Sequence, residues 1–363
     1  MKLSIHSQED SVWGAFGLMD SVASRLGYMA GLDLPGPAAR KIHALGIRFV
    51  ARRYSSYDFN PDHAKHQISM GITPQAAARE FLEDCIQKGT ELGWWQYAWG
   101  IMTPPAMATP GNDAHIMSWV IDWQTAFVEY AGQYGKEAIV CNVPTGNDGF
   151  HIPNATYYGC QEYGWPNILS QQGDHALRYR SWFPREVLSR NPNAKLFILE
   201  CGVTGVLSPS EVQAAPDAPH GKDVGYKGGY GIPGISADEY WHDSLLRYNW
   251  ELEKDPYVLS AMIFGDGMNA DWATHDIAGT ETEEYLKQSY LSNGGPNMGR
   301  ELIQEYPDLW EAWLDSGGID NFEAFLVAIG QRQVSPAKHR ELVKNRLESA
   351  VKENVIFLDS LPL

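Results

Sequence analysis

Two glutamates stand at the ends of short apolar runs, a position where charged side chains are uncommon. Glu200 closes the run Leu196–Leu199 just before Gly202, and Glu162 follows the strand-like stretch 157–160 among aromatic side chains. Such runs are typical of strands buried on both faces, and carboxylates are rarely buried without a partner or a function. The pattern predicts that the two glutamates end consecutive strands and form a two-carboxylate site. For Glu200 alone, a structural pairing with an arginine fits about equally well.

Two carboxyl groups on neighbouring strands can perform the acid–base and nucleophilic steps of glycoside hydrolysis. Adjacent strands lie about 5 Å apart, close to the carboxyl separation of about 5–5.5 Å in retaining enzymes. Carboxylates this close would repel each other, so the pKa of one would rise. We therefore expect one of Glu200 and Glu162 to act as acid and then base. The other would act as nucleophile or as base for a water molecule.

Eight strand-like stretches alternate with helical stretches over about the first 290 residues. The strands are expected at residues 2–6, 28–34, 47–54, 94–100, 138–143, 155–160, 195–200 and 257–264. The link between the fifth and sixth is rich in Gly, Asn and Pro, and no full helix is expected there. This alternation predicts an α/β fold, a (β/α)8 TIM barrel, whose active site would lie at the carboxyl ends of the strands.

An open, doubly wound α/β sheet is the alternative architecture. Its phosphate-binding signature occurs once, at 229–234, but no strand precedes it and Pro233 stands where a helix should begin. After residue 292 the pattern becomes helical, with capping residues and glycine stops. The sequence therefore predicts a barrel over 1–292 and a small helical C-terminal extension over 296–363. The extension either packs on the barrel or has a separate binding function.

Aromatic and polar side chains cluster at the same predicted end of the barrel. Aromatic faces stack on sugar rings, although they also fill cores, and polar groups can bind sugar hydroxyls. Besides the two glutamates, the candidate ligand-binding residues are Trp99, Arg52, Asn142, Tyr158, Tyr163, Trp165, Phe264, Asp266 and Trp272. Tyr226 and Tyr230, in the long loop after the seventh strand, are candidates to cover this cleft.

Three segments resemble the (β/α)8 glycoside hydrolases whose acid/base ends strand four and whose nucleophile ends strand seven. LFILECGVTG at 196–205 is similar to their strand-seven segment, and YYGCQEYGWP at 157–166 to their strand-six segment. DPYVLSAMIFGDGMNADWATHDI at 255–277 is similar to their strand-eight segment. The resemblance covers roughly residues 1–290. It implies a barrel that binds and hydrolyses a glycan, with Glu200 as the nucleophile.

The chain departs from that family at the position of the proton donor. The family ends strand four with Asn-Glu-Pro, whereas this chain has Met102-Thr103-Pro104. A threonine hydroxyl cannot act as a general acid at neutral pH. Either Glu162 or another carboxylate supplies the proton, or the barrel has lost hydrolysis and is a carbohydrate-binding or assembly protein. Gln161 also stands where a histidine is expected.

Composition disfavours other classes of function. The chain has 28 Lys and Arg against 45 Asp and Glu, a net charge of −17, which argues against binding to nucleic acid or anionic membranes. Four cysteines without a CxxC pair predict buried thiols. No run is long enough to span a membrane and the N-terminus lacks a signal-peptide core, so a cytoplasmic location or non-classical release is expected. No cofactor or metal is expected, the His63 and His66 pair being only a weak metal candidate.

Overall fold

The fold is a closed barrel of eight parallel strands, which run in chain order around it. The computed structural model describes residues 1–53, 61–104, 114–164, 168–169, 172–203, 226–228, 237–268 and 273–291. The strands are β1 (Leu3–Gln8), β2 (Tyr28–Leu32), β3 (Arg48–Arg52), β4 (Ala98–Met102), β5 (Glu137–Val143), β6 (Tyr157–Gly164), β7 (Lys195–Val203) and β8 (Val258–Phe264). The predicted (β/α)8 TIM barrel is confirmed.

Helices alternate with the strands and pack around the barrel. Within the described residues, the α-helices are α1 (Val12–Val22), α2 (Gly36–Ala44), α3 (Pro61–Ser69), α4 (Pro74–Leu92), α5 (Ala114–Gln133), α6 (Tyr179–Trp182), α7 (Ala237–Glu253) and α8 (Glu281–Leu291). A π-helical stretch, Phe183–Leu188, continues α6. Residues 144–156, between β5 and β6, contain no helix, as their Gly-, Asn- and Pro-rich composition predicts.

The sequence signals that begin and end α4 act as expected. The Thr73 side chain accepts a hydrogen bond of 3.2 Å from the Ala76 amide, and Pro74 occupies the first helical position. Gly93 ends the helix with a φ of 86°, in the left-handed region that glycine adopts at low cost. These local preferences hold the helix in place between β3 and β4.

The alternating side chains of the strands divide the apolar residues into two cores. Outward-facing residues such as Ile198 and Ile263 pack against the helices. The barrel interior is filled by a smaller cluster: Ala30, Val50, Met102, Ile139, Phe197, Leu199 and Met262. The interior is therefore packed with side chains rather than open as a pore, so a ligand can approach only at the two ends of the barrel.

Aromatic rings close the amino end of the interior. The Trp99 ring centroid lies 5.3 Å from that of Tyr28 and 5.1 Å from that of Tyr157, and Phe197 lies 4.8 Å from Tyr28. The Arg48 guanidinium lies 5.4 Å from the Tyr28 centroid and 5.5 Å from the Trp99 centroid. Edge-to-face pairs and cation–π contacts of this kind stabilise a packed plug. We call these four rings the aromatic floor.

A bulge in β7 turns Glu200 toward the interior. The β6–β7 register passes from Cys160–Ile198 to Gln161–Glu200, which leaves Leu199 as an extra residue on β7. Leu199 belongs to the interior cluster. In a regular strand only one of two consecutive residues can face inward. The bulge allows both Leu199 and Glu200 to do so.

Candidate functional site at the carboxyl end of the barrel

Glu200 is the central polar group at the carboxyl end of the strands. It is 7% exposed, and the guanidinium of Arg52, the last residue of β3, forms an ion pair with its Oε1. The Tyr163 hydroxyl donates a hydrogen bond of 2.9 Å to Oε2. Burial and the adjacent Glu200 charge raise the pKa of Tyr163 well above its usual range, so this hydroxyl keeps its proton. Two charge-assisted contacts therefore fix the orientation of the carboxylate.

Phe264 and His6 lie beside this carboxylate. The Phe264 ring centroid lies 6.1 Å from that of Tyr163 and 5.3 Å from that of His6. Burial lowers the pKa of His6 to about 4, the Glu200 charge opposing this shift and the Arg52 charge adding to it. His6 is therefore neutral at neutral pH. Neither of its ring nitrogens has a hydrogen-bond partner within the described ranges.

Across the barrel, β4 and β5 contribute Thr103 and Asn142. The Asn142 Nδ2 donates a hydrogen bond of 3.0 Å to the Thr103 carbonyl oxygen, and both residues are 1% exposed. Thr103 Oγ1 and Asn142 Oδ1 have no partner among the side chains and backbone that the structure describes. Thr103 follows directly on β4, where the family resemblance implies a proton donor. It contributes a neutral hydroxyl there instead of an acid.

The structure does not bring Glu162 and Glu200 together. Glu162 is paired in register with Cys201, whereas Glu200 is paired with Gln161. Adjacent residues of a strand point to opposite faces, so Glu162 faces the helices while Glu200 faces the interior. The expected pairing of the two carboxylates is therefore wrong. The reason is that β6 continues to Gly164 instead of ending before Glu162.

Glu162 instead belongs to a buried network between β6 and α7. It is 1% exposed and accepts a hydrogen bond of 2.5 Å from the Tyr248 hydroxyl. Burial raises the pKa of Glu162 to about 7, although the hydrogen bond from Tyr248, the nearby backbone of Leu177 and Tyr179 and the charge of Arg180 oppose the shift. Removal from water thus dominates over the donors. Glu162 therefore contributes to the packing of β6 against α7 and not to the site around Glu200.

Glu162 should make the stability of the protein depend on pH. Its folded-state pKa of about 7 lies above the usual glutamate value of 4.5, so the unfolded chain loses this proton first as pH rises. As pH rises from about 4.5 to about 7, the free energy of unfolding should fall by about 3 kcal/mol relative to that of Glu162→Gln. Urea unfolding of both proteins between about pH 4.5 and 8 measures this difference. The exposed control Glu137→Gln should show no such trend, and a pH-independent difference for Glu162→Gln would contradict the account.

Trp99 was expected at the cleft but lies at the amino end of the barrel. It is the second residue of β4 and part of the aromatic floor. The strand begins at Ala98 rather than at Trp94, and this shift moves Trp99 from the end of the predicted strand to its beginning. The exposed part of the Trp99 side chain therefore lies at the amino end of the barrel, away from Glu200.

Trp99→Phe is expected to leave ligand binding within about twofold of the wild type. The smaller ring weakens the floor and its contact with Arg48, so stability should fall by about 1–2 kcal/mol. Urea unfolding and calorimetric titration of the same preparation separate the two effects. A tenfold loss of binding without unfolding would place the ligand at the amino end.

Tyr158 also lies away from Glu200. Its hydroxyl donates to the Ile152 carbonyl at 2.9 Å and accepts from the Ile152 amide at 3.1 Å, and its ring packs edge-on against Phe183. The residue faces the helical layer because it alternates with inward-facing Tyr157 and Gly159. Its predicted contact with ligand is therefore wrong.

Asp266 lies near α8 rather than near Glu200. It is fully buried, and burial raises its pKa well above the usual range, with the charges of Glu283 and Asp276 adding to the shift and that of Lys287 opposing it. These neighbours are on α8 and on the turn that precedes it. Among the described candidates, Glu200, Arg52, Tyr163 and Phe264 lie together, and Asn142 lies beside Thr103 at the ends of β5 and β4. The structure adds His6 to this candidate site.

Some expectations lie outside the described residues, namely those for Trp165, Trp272, Tyr230 and the extension at 296–363. Tyr226 is described: it is 2% exposed, and its ring stacks on that of Trp241 at 5.9 Å. Its hydroxyl donates to the Asp276 carbonyl at 3.2 Å. Tyr226 therefore anchors its segment against α7 and the turn before α8.

The cysteines, the possible metal ligands and the hydropathy of the helices complete the comparison of sequence and structure. All four cysteines are buried and free, as predicted. Across the described ranges, no group of three or more His, Cys, Asp or Glu side chains could hold a metal ion. None of the described helices has both the length and the hydropathy that a membrane span requires.

Comparisons with known proteins find similarity only among solved structures. No protein-family model and no curated protein matches the sequence. The β-glucuronidase of Ruminococcus gnavus aligns with 80% of this chain and 50% of its own, at 10% identity and a TM-score of 0.48. The GH128 (subgroup II) endo-β-1,3-glucanase of Pseudomonas viridiflava aligns with 81% of this chain and 98% of its own, at 14% identity and a TM-score of 0.37.

A D-psicose 3-epimerase, solved in the presence of D-fructose, aligns with 81% of this chain and 100% of its own, at 12% identity and a TM-score of 0.40. The chain spans about half the length of the β-glucuronidases that it matches. Identities and TM-scores this low do not assign the chain to a family.

Proposed function

We propose that the chain is a glycan-binding (β/α)8 barrel, whose ligand contacts Glu200 at the carboxyl end of the strands. The observation that carries the proposal is the Arg52–Glu200–Tyr163 constellation, in which both oxygens of a nearly buried carboxylate are held in place. Carboxylate oxygens accept more than one hydrogen bond each, so Glu200 can still accept bonds from sugar hydroxyls. Barrels of this class bind their ligands at this end.

Partnerless polar atoms near the same end support the proposal. Thr103 Oγ1, Asn142 Oδ1 and the two ring nitrogens of His6 are buried without a hydrogen-bond partner in the part of the chain that is described. Buried polar atoms of this kind are uncommon and usually bind water or a ligand. A polyhydroxylated ligand beside the apolar ring of Phe264 would satisfy such groups.

Binding is favoured over efficient hydrolysis because the described carboxylates that follow neighbouring strands lie against other groups, Asp266 for example beside Glu283 and Asp276. The described contacts of Glu200 come from Arg52 and Tyr163. Glu162 faces the helices, and Asp33 is paired with Arg53. A glycosidase needs an acid at about 5–9 Å from its other carboxylate.

Hydrolysis of activated substrates is the second candidate, because Glu200 is oriented as a nucleophile would be. General acid catalysis is worth about 10²–10⁴-fold, so an aryl glycoside with a good leaving group should be cleaved far better than a natural glycan. Thr103→Glu should then restore part of the rate on the natural glycan. If neither protein cleaves either substrate class, the barrel is a binding protein only.

The proposal is tested by calorimetric titration with a panel of gluco-, manno- and galacto-oligosaccharides. Saturable binding of at least one member is expected. Absence of binding to the whole panel, by a protein whose circular dichroism shows a folded barrel, would contradict the proposal.

A further inference from the structure

We propose that the site at Glu200 selects electrically neutral sugars and rejects uronic acids. The inference rests on the proposed function and names the substrate class of the same site. It follows from the two arginines at the end of β3, within the part of the chain that the structure describes, because each already has a carboxylate beside it.

Arg52 and Arg53 are the cationic residues at or directly after the strand ends, within the ranges described. The Arg52 guanidinium is paired with Glu200. The Arg53 Nη1 lies 2.9 Å from Asp33 Oδ2, and its Nε lies 2.8 Å from Asp84 Oδ2. A sugar carboxylate would therefore have to share a guanidinium whose charge a protein carboxylate already compensates.

The remaining polar groups of the site carry no charge. Thr103 and Asn142 offer neutral oxygens, and Tyr163 keeps its proton beside Glu200. His6 is uncharged at neutral pH because burial lowers its pKa to about 4. These groups can bond to hydroxyls but cannot compensate an added negative charge.

The consequence is that the site discriminates electrostatically between neutral sugars and uronic acids. A uronic acid would add an anion close to Glu200, and repulsion in a poorly hydrated site is strong. A neutral sugar of the same shape does not incur this repulsion. We expect each neutral sugar to bind at least about tenfold more tightly than its C6-carboxylate counterpart.

The test uses matched pairs: gluco-, manno- and galacto-oligosaccharides, the same compounds with C6 hydroxyls oxidised to carboxylates, and the methyl esters of those carboxylates. Calorimetric titration should show binding of the neutral member, loss of at least about tenfold on oxidation, and recovery on esterification. Recovery separates charge from size, because the ester is larger than the acid.

Glu200→Gln supplies a second readout, because it leaves the Arg52 guanidinium without its carboxylate. The ratio of uronic-acid binding to neutral binding should rise at least about tenfold in this variant. If a pair binds but the acid is preferred, or if the ratio does not rise in Glu200→Gln, the charge inference is wrong while the proposed function stands. If no member of any pair binds, the proposed function fails and the inference falls with it.

Discussion

Glu200→Gln is expected to weaken binding of a neutral glycan by at least about 100-fold, while the barrel remains folded. The glutamine amide has no charge for Arg52 and Tyr163 to contact. Its NH2 group donates hydrogen bonds, so it cannot accept the bond that one of these two donors makes to Glu200. A hydrogen bond to a charged group contributes about 1.5–3 kcal/mol, and a sugar hydroxyl bound to Glu200 would lose this contribution. The fold should survive because the Arg52 side chain is 23% exposed and water can reach its charge.

Glu137→Gln is the matched control for this experiment. Glu137 is exposed at the first position of β5, at the amino end of the barrel, and its substitution should leave binding unchanged. Titration calorimetry and circular dichroism are measured on all three proteins. A folded Glu200→Gln protein that binds like the wild type would remove Glu200 from the site.

Arg52→Met is expected to lower the free energy of unfolding by about 3–5 kcal/mol. It leaves the Glu200 carboxylate, whose side chain is 10% exposed, without its cation. Removing one partner of a buried ion pair has a cost of this size. The double variant Arg52→Met, Glu200→Gln should recover part of the loss, because no unpaired charge remains. Urea unfolding of the four proteins of the cycle measures the coupling.

The same variant should change the protonation of His6. The Arg52 charge lowers the pKa of His6 and the Glu200 charge raises it, so Arg52→Met should shift the His6 pKa upward. A histidine titration followed by NMR measures this shift. An unchanged His6 pKa together with an unchanged unfolding free energy would show that Arg52 and Glu200 are not coupled.

The barrel could be predicted because its determinants are local and repeated. Several strands carry a short apolar run, such as Leu196–Leu199 of β7, and α4 carries its own start and stop at Thr73 and Gly93. The position of Glu200 was predictable for the same reason, and its possible pairing with an arginine was one of the alternatives. These features depend on neighbours in the sequence more than on distant residues.

The orientation of side chains was harder to predict, because strands have a period of two and small errors in their bounds reverse the face. Glu162 and Trp99 were both misplaced by errors in a strand end. The bulge at Leu199 breaks the alternation and brings Glu200 inward, and such a bulge depends on the register with the neighbouring strand. His6 was missed because a single histidine in the short strand LSIHSQ has no feature that distinguishes a core position from a site position.

The most direct test of the account is a crystal structure of the protein with the neutral oligosaccharide that binds most tightly in the panel. The account predicts a sugar hydroxyl within hydrogen-bond distance of the Glu200 carboxylate, at the carboxyl end of the strands, with Arg52 still paired to Glu200. A sugar bound instead against the aromatic floor, around Tyr28 and Trp99 at the amino end, would contradict it.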